Sequence, residues 1–274
     1  MPIKTILLHL NNDPQLEQRI EAALGLAVEH GAVLKALYTI AEVTVPTSFM
    51  GYVPPEFIEQ SRREEEKQAA AAKAKLEGMA ARIDQEIEIV IEEGYAPDLL
   101  SDHAVACDLI VLGQGDPDAE NNAQSRYVAD ELVVSSPRPV LVIPCAGKYP
   151  DFGRHILVGW NNSRESSRAL HEAMPFLAKA EKVTLLSVNA KDDETYETEH
   201  VLAHLKRHGV NATFKSGQWP GIGVGDALLD ALVDYSADML VMGAYGHSRL
   251  REMILGGATE SILSQMTAPV LFAH

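Results

Sequence analysis

The sequence predicts an α/β protein of two tandem doubly wound domains, each a five-stranded parallel sheet with helices on both faces. Short apolar, β-branched runs alternate with longer stretches of helical period, which is the pattern of parallel strands joined by crossover helices. The same set of five strands then occurs twice. The run Asp108-Leu109-Ile110-Val111-Leu112-Gly113 returns as Asp238-Met239-Leu240-Val241-Met242-Gly243, and Pro139-Val140-Leu141 returns as Pro269-Val270-Leu271, both 130 residues on. The length of 274 residues agrees, at roughly 100–200 residues per domain.

In chain order, strands are expected at 6–8, 33–38, 87–91, 109–112 and 140–143, and again at 156–158, 183–188, 212–214, 239–242 and 270–272. Leu16, Ile20, Ala23, Leu24 and Ala27 recur at helical spacing and place an apolar stripe on the first helix. Asp13 stands before Pro14, the arrangement of an N-cap followed by proline at the first helical position. The opening turns ILLHLNND and ILVGWNNS match at an offset of 150 rather than 130. The first half therefore carries about 20 extra residues, a number that follows from the two offsets. They fall in a long insertion at about 42–75, where a Pro/Gly-rich loop leads into a charged, Ala-rich helix whose Arg62 to Lys67 run reads as a solvated face. The composition of 146–153, CAGKYPDFG with its flanks, marks a boundary between a first domain at 1–146 and a second at 153–274. Asn162 or Ser163 is expected to cap the next helix, with Glu165 closing a capping box if Asn162 is the cap. WPGIGVGD reads as a loop before a helix marked by Leu228, Leu232 and Tyr235. His200, His204 and His208 repeat every four residues along the flank of a helix stripe, where a solvated border explains them better than a metal site.

Composition narrows the function classes. With 23 Lys and Arg against 39 Asp and Glu the formal charge is −16, which argues against nucleic acid and against an anionic membrane surface. No run of 18 apolar residues occurs, so no spanning helix is expected. Cys107 and Cys145 form neither a CxxC nor a disulfide framework, and MPIKTILLHLNND reads as a first strand rather than a leader, which together point to a cytoplasmic protein.

The stretch VMGAYGHSRLREMILGGATES, directly after an apolar strand, carries Gly243, Gly246, Gly256 and Gly257. Glycines there let the backbone turn sharply and approach a ligand, while the N–H groups opening the next helix face an anion. The residues alone leave open whether these glycines cradle a phosphate or only close a turn. His247, Arg249 and Arg251 inside the loop fit phosphate neutralisation and surface solubility equally.

The glycine loop, the opening ILVGWNNSRESSRAL and the closing TAPVLFAH resemble the universal stress protein family, in the family's order, and the resemblance covers essentially the whole chain as two tandem Rossmann-like, flavodoxin-like domains. Nucleotide-binding members carry a G-x2-G-x9-G-(S/T) loop after the fourth strand. Carried onto this chain, the resemblance implies a phosphate loop of Gly243, Gly246 and Gly256 with the backbone of Gly257, Ala258 and Thr259. It implies a base near Val188 and Met242 and a ribose beside Asn161. Gly257 stands where the family prefers Ser or Thr, and Asn161 where nucleotide-binding members have Asp. In the first half Asp116, Arg126 and Tyr127 occupy the places of Gly246, Gly256 and Gly257, and only Gly113 remains, so no nucleotide site is expected there. The resemblance thus implies a non-catalytic stress-response protein holding ATP or another adenine nucleotide as a regulatory ligand in its second domain, without a metal. It also implies an intrachain pseudo-dimer formed through the last strands, with which a homodimer of the whole chain is compatible. The residues leave two alternatives: a nucleotide-independent interaction scaffold, and a slow ATP hydrolase or phosphotransferase. The latter would have to work without a G-x-x-x-x-G-K-(S/T) loop or a serine nucleophile elbow.

Overall fold

A computed structural model describes residues 2–41, 55–115, 123–190, 195–244 and 257–274. The first half runs β1 (Thr5–Leu10), α1 (Leu16–His30), β2 (Val33–Ile40), α2 (Pro55–Ala81), β3 (Ile87–Glu93), α3 (Ala96–Ala104), β4 (Leu109–Gly113), α4 (Ala123–Ser135) and β5 (Val140–Ile143). The second runs β6 (His155–Gly159), α5 (Arg164–Glu172), α6 (Met174–Leu177), β7 (Lys182–Val188), α7 (Thr195–Arg207), β8 (Ala212–Gly217), α8 (Val224–Asp234), β9 (Met239–Gly243), α9 (Ala258–Gln265) and β10 (Val270–Ala273). Each strand read from the sequence is present. The charged, Ala-rich helix of the insertion is α2, while residues 42–54 lie outside the described residues.

The strands form one sheet in the order β3-β2-β1-β4-β5-β10-β9-β6-β7-β8. Neighbours within each half are parallel. The halves join where β5 and β10 pair antiparallel, Val140 with Phe272, Leu141 with Leu271 and Val142 with Val270. Alternation of side chains along each strand divides the core in two. Ile6, Leu8, Val111, Ile156, Val158 and Val241 face one layer with α1, α2, α5 and α7. Leu7, Ile110, Leu112, Leu157, Leu240 and Met242 face the other with α3, α4, α8 and α9. Polar contacts tie the halves as well: Gln114 Nε2 donates to the Leu263 carbonyl at 2.8 Å, and Lys179 Nζ lies 3.0 Å from Glu29 Oε1.

Helix entry differs from the sequence expectation at α1. Asp13 does not act as the N-cap of α1. That position is Gln15, with no side-chain cap, and Asp13 accepts from Gln15 N at 3.0 Å while its other oxygen pairs with Arg19. At α5 the cap is Ser163, one of the two residues expected; it exchanges hydrogen bonds with Ser166, and Asn162 before it is in the left-handed region (φ 57°). Of the three histidines expected along a solvated border, His200 and His208 are exposed and His204 is half-buried. The His204 ring packs against His171 of α5 and His208, with centroids 5.2 and 4.7 Å away, and desolvation, then its imidazole neighbours, holds its pKa below the usual range. Among the described residues no group of three donors is arranged to hold a metal ion, and no helix is long and apolar enough to cross a membrane.

The residue preceding each fourth strand has a role that the repeat did not disclose. Asp108 Oδ2 accepts from Lys4 N at 2.7 Å and Thr5 N at 3.0 Å. Asp238 accepts from Gly153 N, Arg154 N and His155 N at 3.1, 3.2 and 3.0 Å. Each aspartate fastens the entry of its half's first strand to its fourth, through charge-assisted bonds. Asp238→Ala is expected to cost about 2 kcal/mol in urea unfolding, since hydrogen bonds to a charged group contribute more than neutral ones; an unchanged midpoint and slope would contradict this role.

Candidate functional site

In each half the chain leaves its first strand toward one side of the sheet and returns to the fourth strand on the other side, so a switch point opens between β6 and β9 and between β1 and β4. Crevices at the carboxyl ends of strands at such points are where open α/β sheets take ligands. Of the residues predicted from the sequence, Asn161, Met242 and Gly243 stand at the ends of β6 and β9, and Val188 at the end of the adjacent β7. Met242 is nearly buried opposite Gly159, Val188 ends β7 half-buried, and Asn161 lies exposed just beyond Trp160. Asn161 Oδ1 accepts from Ser163 N at 3.2 Å, so its carbonyl already serves the turn.

Gly243 has a packing reason to be glycine. A Cβ there would stand 2.5 Å from the Glu165 carbonyl carbon and 2.6 Å from Ser166 N, so the missing side chain lets the start of α5 close on β9. Gly246 and Gly256, with His247, Arg249 and Arg251, lie outside the described residues. Beyond them Gly257 is the N-cap of α9, in extended conformation and with no side-chain cap. Ala258 is half-buried at the first helical position and Thr259 is buried. The opening amides of α9 therefore find no side-chain acceptor on their own cap residue, a condition under which a helix terminus can take an anion. At Gly225 a Cβ would stand 2.8 Å from the Ala258 carbonyl oxygen and 2.8 Å from Ser261 Cβ, so α8 also approaches this terminus through a glycine.

The corresponding crevice of the first half is occupied by its own side chains. Arg19 is 1% exposed; its Nη1 lies 2.6 Å from Asp13 Oδ2 and its Nη2 donates to Asn11 Oδ1. A Cβ at Gly113 would coincide with the guanidinium. On the other face His9 is buried with Nε2 3.3 Å from Thr39 Oγ1, and burial, then the Arg19 charge, pushes its pKa down to about 3. With Ile156 aligned on Ile6, Arg19 corresponds to Ala169 and His9 to Gly159, so two bulky polar groups stand where the second half has almost none. Sequence reading missed Arg19 as a site residue, although an arginine three residues after Leu16 and next to Ile20 on a core-facing stripe was the available signal. Asp116 lies outside the described residues, as does the side chain of Arg126, while Tyr127 is exposed on α4.

Asp13→Asn removes the counter-charge of a buried guanidinium and is expected to destabilise by about 3–5 kcal/mol in urea unfolding. His9 adds a pH dependence. Unfolded His9 takes a proton near pH 6.5 while the folded residue resists until about 3. Stability is thus fully present above about 6.5 and is lost as pH falls toward 3. Between pH 7 and 5 this residue is expected to cost about 2 kcal/mol. A His9→Gln chain with the same pH slope as the wild type would exclude that origin.

The sequence profile of the universal stress protein family matches residues 2–144 and 223–274. A universal stress protein of Synechocystis sp. is 26% identical over 194 residues, which cover 68% of this chain and 65% of that protein. A universal stress protein of Methanocaldococcus jannaschii is 26% identical over 82 residues, covering 30% of this chain and 51% of that protein. The match thus spans somewhat under two thirds and about half of these relatives' own lengths. In fold, the crystal structure of a universal stress protein from Archaeoglobus fulgidus DSM 4304 is similar with a TM-score of 0.76 at 16% identity, covering 98% of this chain and 95% of that one. With its profile matched over most of the chain, this protein belongs to the universal stress protein family.

Proposed function

We propose that this chain is a non-catalytic, cytoplasmic universal stress protein that takes an adenine nucleotide, ATP, ADP or AMP, as a regulatory ligand in its second half only. In this reading residues 1–146 and 153–274 are two family domains, joined as an internal pseudo-dimer through β5 and β10, and the 42–75 insertion belongs to the first. The observation that carries it is the asymmetry of the two switch points. Arg19, paired with Asp13 and Asn11, fills the β1/β4 crevice, whereas the β6/β9 crevice has Gly159 and Ala169 at the matching places and beside it the start of α9, whose cap residue is the glycine Gly257. The phosphates would lie against the amides after Gly257 and the loop from Gly243 through Gly246 to Gly256. The base would lie by Val188 and Met242.

Affinity at the ribose is modest in this arrangement, because Asn161 is neutral and its Oδ1 is engaged by Ser163 N. That single feature also favours the second reading, an interaction scaffold that works without nucleotide. Isothermal titration of AMP, ADP and ATP separates the two. The expected result is one site per chain, weakened at least about tenfold by Gly246→Asp, which sets a carboxylate beside the phosphates. Absence of binding, or binding indifferent to the substitution, rejects the assigned site and leaves the scaffold.

A further inference from the structure

The register of β7 and β8 pairs Val188 with Gly217, and residues paired across parallel strands project from the same face. Gly217 projects nothing. The six-membered ring of Trp219 lies in that space, since a Cβ on Gly217 would stand 2.5 Å from Trp219 Cη2 and 2.6 Å from Cζ3. The indole therefore sits on the Val188 side of the sheet at its carboxyl end. It is half-buried and packs against the apolar cluster that includes Leu186, Leu228 and Met242, a cluster that Val188 and Ala258 also border. The loop carrying it is fastened to the end of β7: Trp219 N donates to Asn189 Oδ1 at 2.7 Å, and Gln218 Nε2 donates to the Ala190 carbonyl at 2.9 Å. Asn189, with φ 56°, holds the left-handed conformation that asparagine tolerates better than most residues.

We infer that Trp219 is the aromatic wall of the base site and the residue that selects large heteroaromatic rings there. This rests on the nucleotide reading above and extends it to a residue outside the glycine loop and the strand ends. A base entering between Val188 and Met242 meets an indole already packed over Gly217 on a fastened loop, so little side-chain freedom is lost on contact. Stacking tolerates different bases because each has a π face, and it grows with ring area. Trp219 thus discriminates purine from pyrimidine nucleotides more than adenine from guanine.

The chain has two tryptophans. Trp160 is buried in the apolar layer on the other face of the sheet, so Trp160→Phe leaves Trp219 as sole emitter. This variant is titrated with AMP, with CMP, and with ribose 5-phosphate as the base-free probe, following emission and heat together. Trp219 emission should change saturably with AMP, less with CMP and not with ribose 5-phosphate. Trp219→Ala should weaken AMP about tenfold or more, and Trp219→Phe by about threefold or less, if both melt like the parent. Should Trp219→Ala fail to fold, the emission response and the Trp219→Phe affinity decide. AMP binding to wild type with unchanged Trp219 emission and an unaffected Trp219→Ala would overturn the wall while leaving the nucleotide reading intact. No heat with AMP, ADP or ATP on wild type would overturn the nucleotide reading, and the wall with it.

Discussion

The antiparallel pairing of β5 with β10 sets the direction of every other strand, because within each half all strands run parallel to the one at the seam. The two sets of carboxyl ends consequently point to opposite ends of a single sheet, and the two switch points cannot share a ligand. The seam also removes two edges that would otherwise present unpaired backbone groups. It is held in register by the alternation on both sides. Val140, Val142, Val270 and Phe272 face one apolar layer and Leu141 and Leu271 the other, so a slip of one residue would turn each set toward the wrong layer.

With the two crevices separated, each half is free to use its own differently. In the first, the polar requirements of the switch point are met from within. A guanidinium taken almost fully out of water needs a counter-charge and hydrogen bonds, which Asp13 and Asn11 supply. A neighbouring imidazole can stay buried there only uncharged, and the depressed pKa of His9 has that cause. Any external anion would have to displace a carboxylate held at high effective concentration by the chain itself. In the second half the matching places are filled without charge: Leu228 packs against Gly159, and the start of α5 closes on Gly243. Gly159 and Ala169 bring no polar groups, and the cap position of α9 is a glycine that offers its helix no side-chain acceptor.

Much of this architecture is legible in the sequence because strands announce themselves by local composition. The runs DLIVLG and DMLVMG are short, β-branched or apolar, and repeated, and both became fourth strands at the expected places. Roles that depend on partners remote in the chain were not legible. Asp108 and Asp238 are visible as repeated letters, yet the amides they accept from lie 103 to 104 and 83 to 85 positions away. Asp13 was misassigned for a different reason. The same residue type serves helix capping and ion pairing, and only the position of Arg19 across the first two turns of α1 decides between them. Trp219 lay in a run of turn residues that carries no period, so nothing local connects it with Val188. The connection is made by the β7–β8 register.

Asn11 and Asn161 show how one residue type at equivalent turns is put to two uses. Asn11 offers its carbonyl to Arg19, and Asn161 offers its own to Ser163 N two residues on. Neither brings a negative charge to the strand ends. In the first half this matters little, because Asp13 supplies the carboxylate. In the second it means that a bound nucleotide would find no anionic acceptor at this turn and no repulsion of its phosphates from it either. Binding energy for the proposed ligand would have to come from burying a flat ring against the Val188, Met242 and Trp219 surface and from the amides that open α9. Contacts of that kind depend on shape and order rather than on net charge, which is consistent with a site built into a protein of formal charge −16.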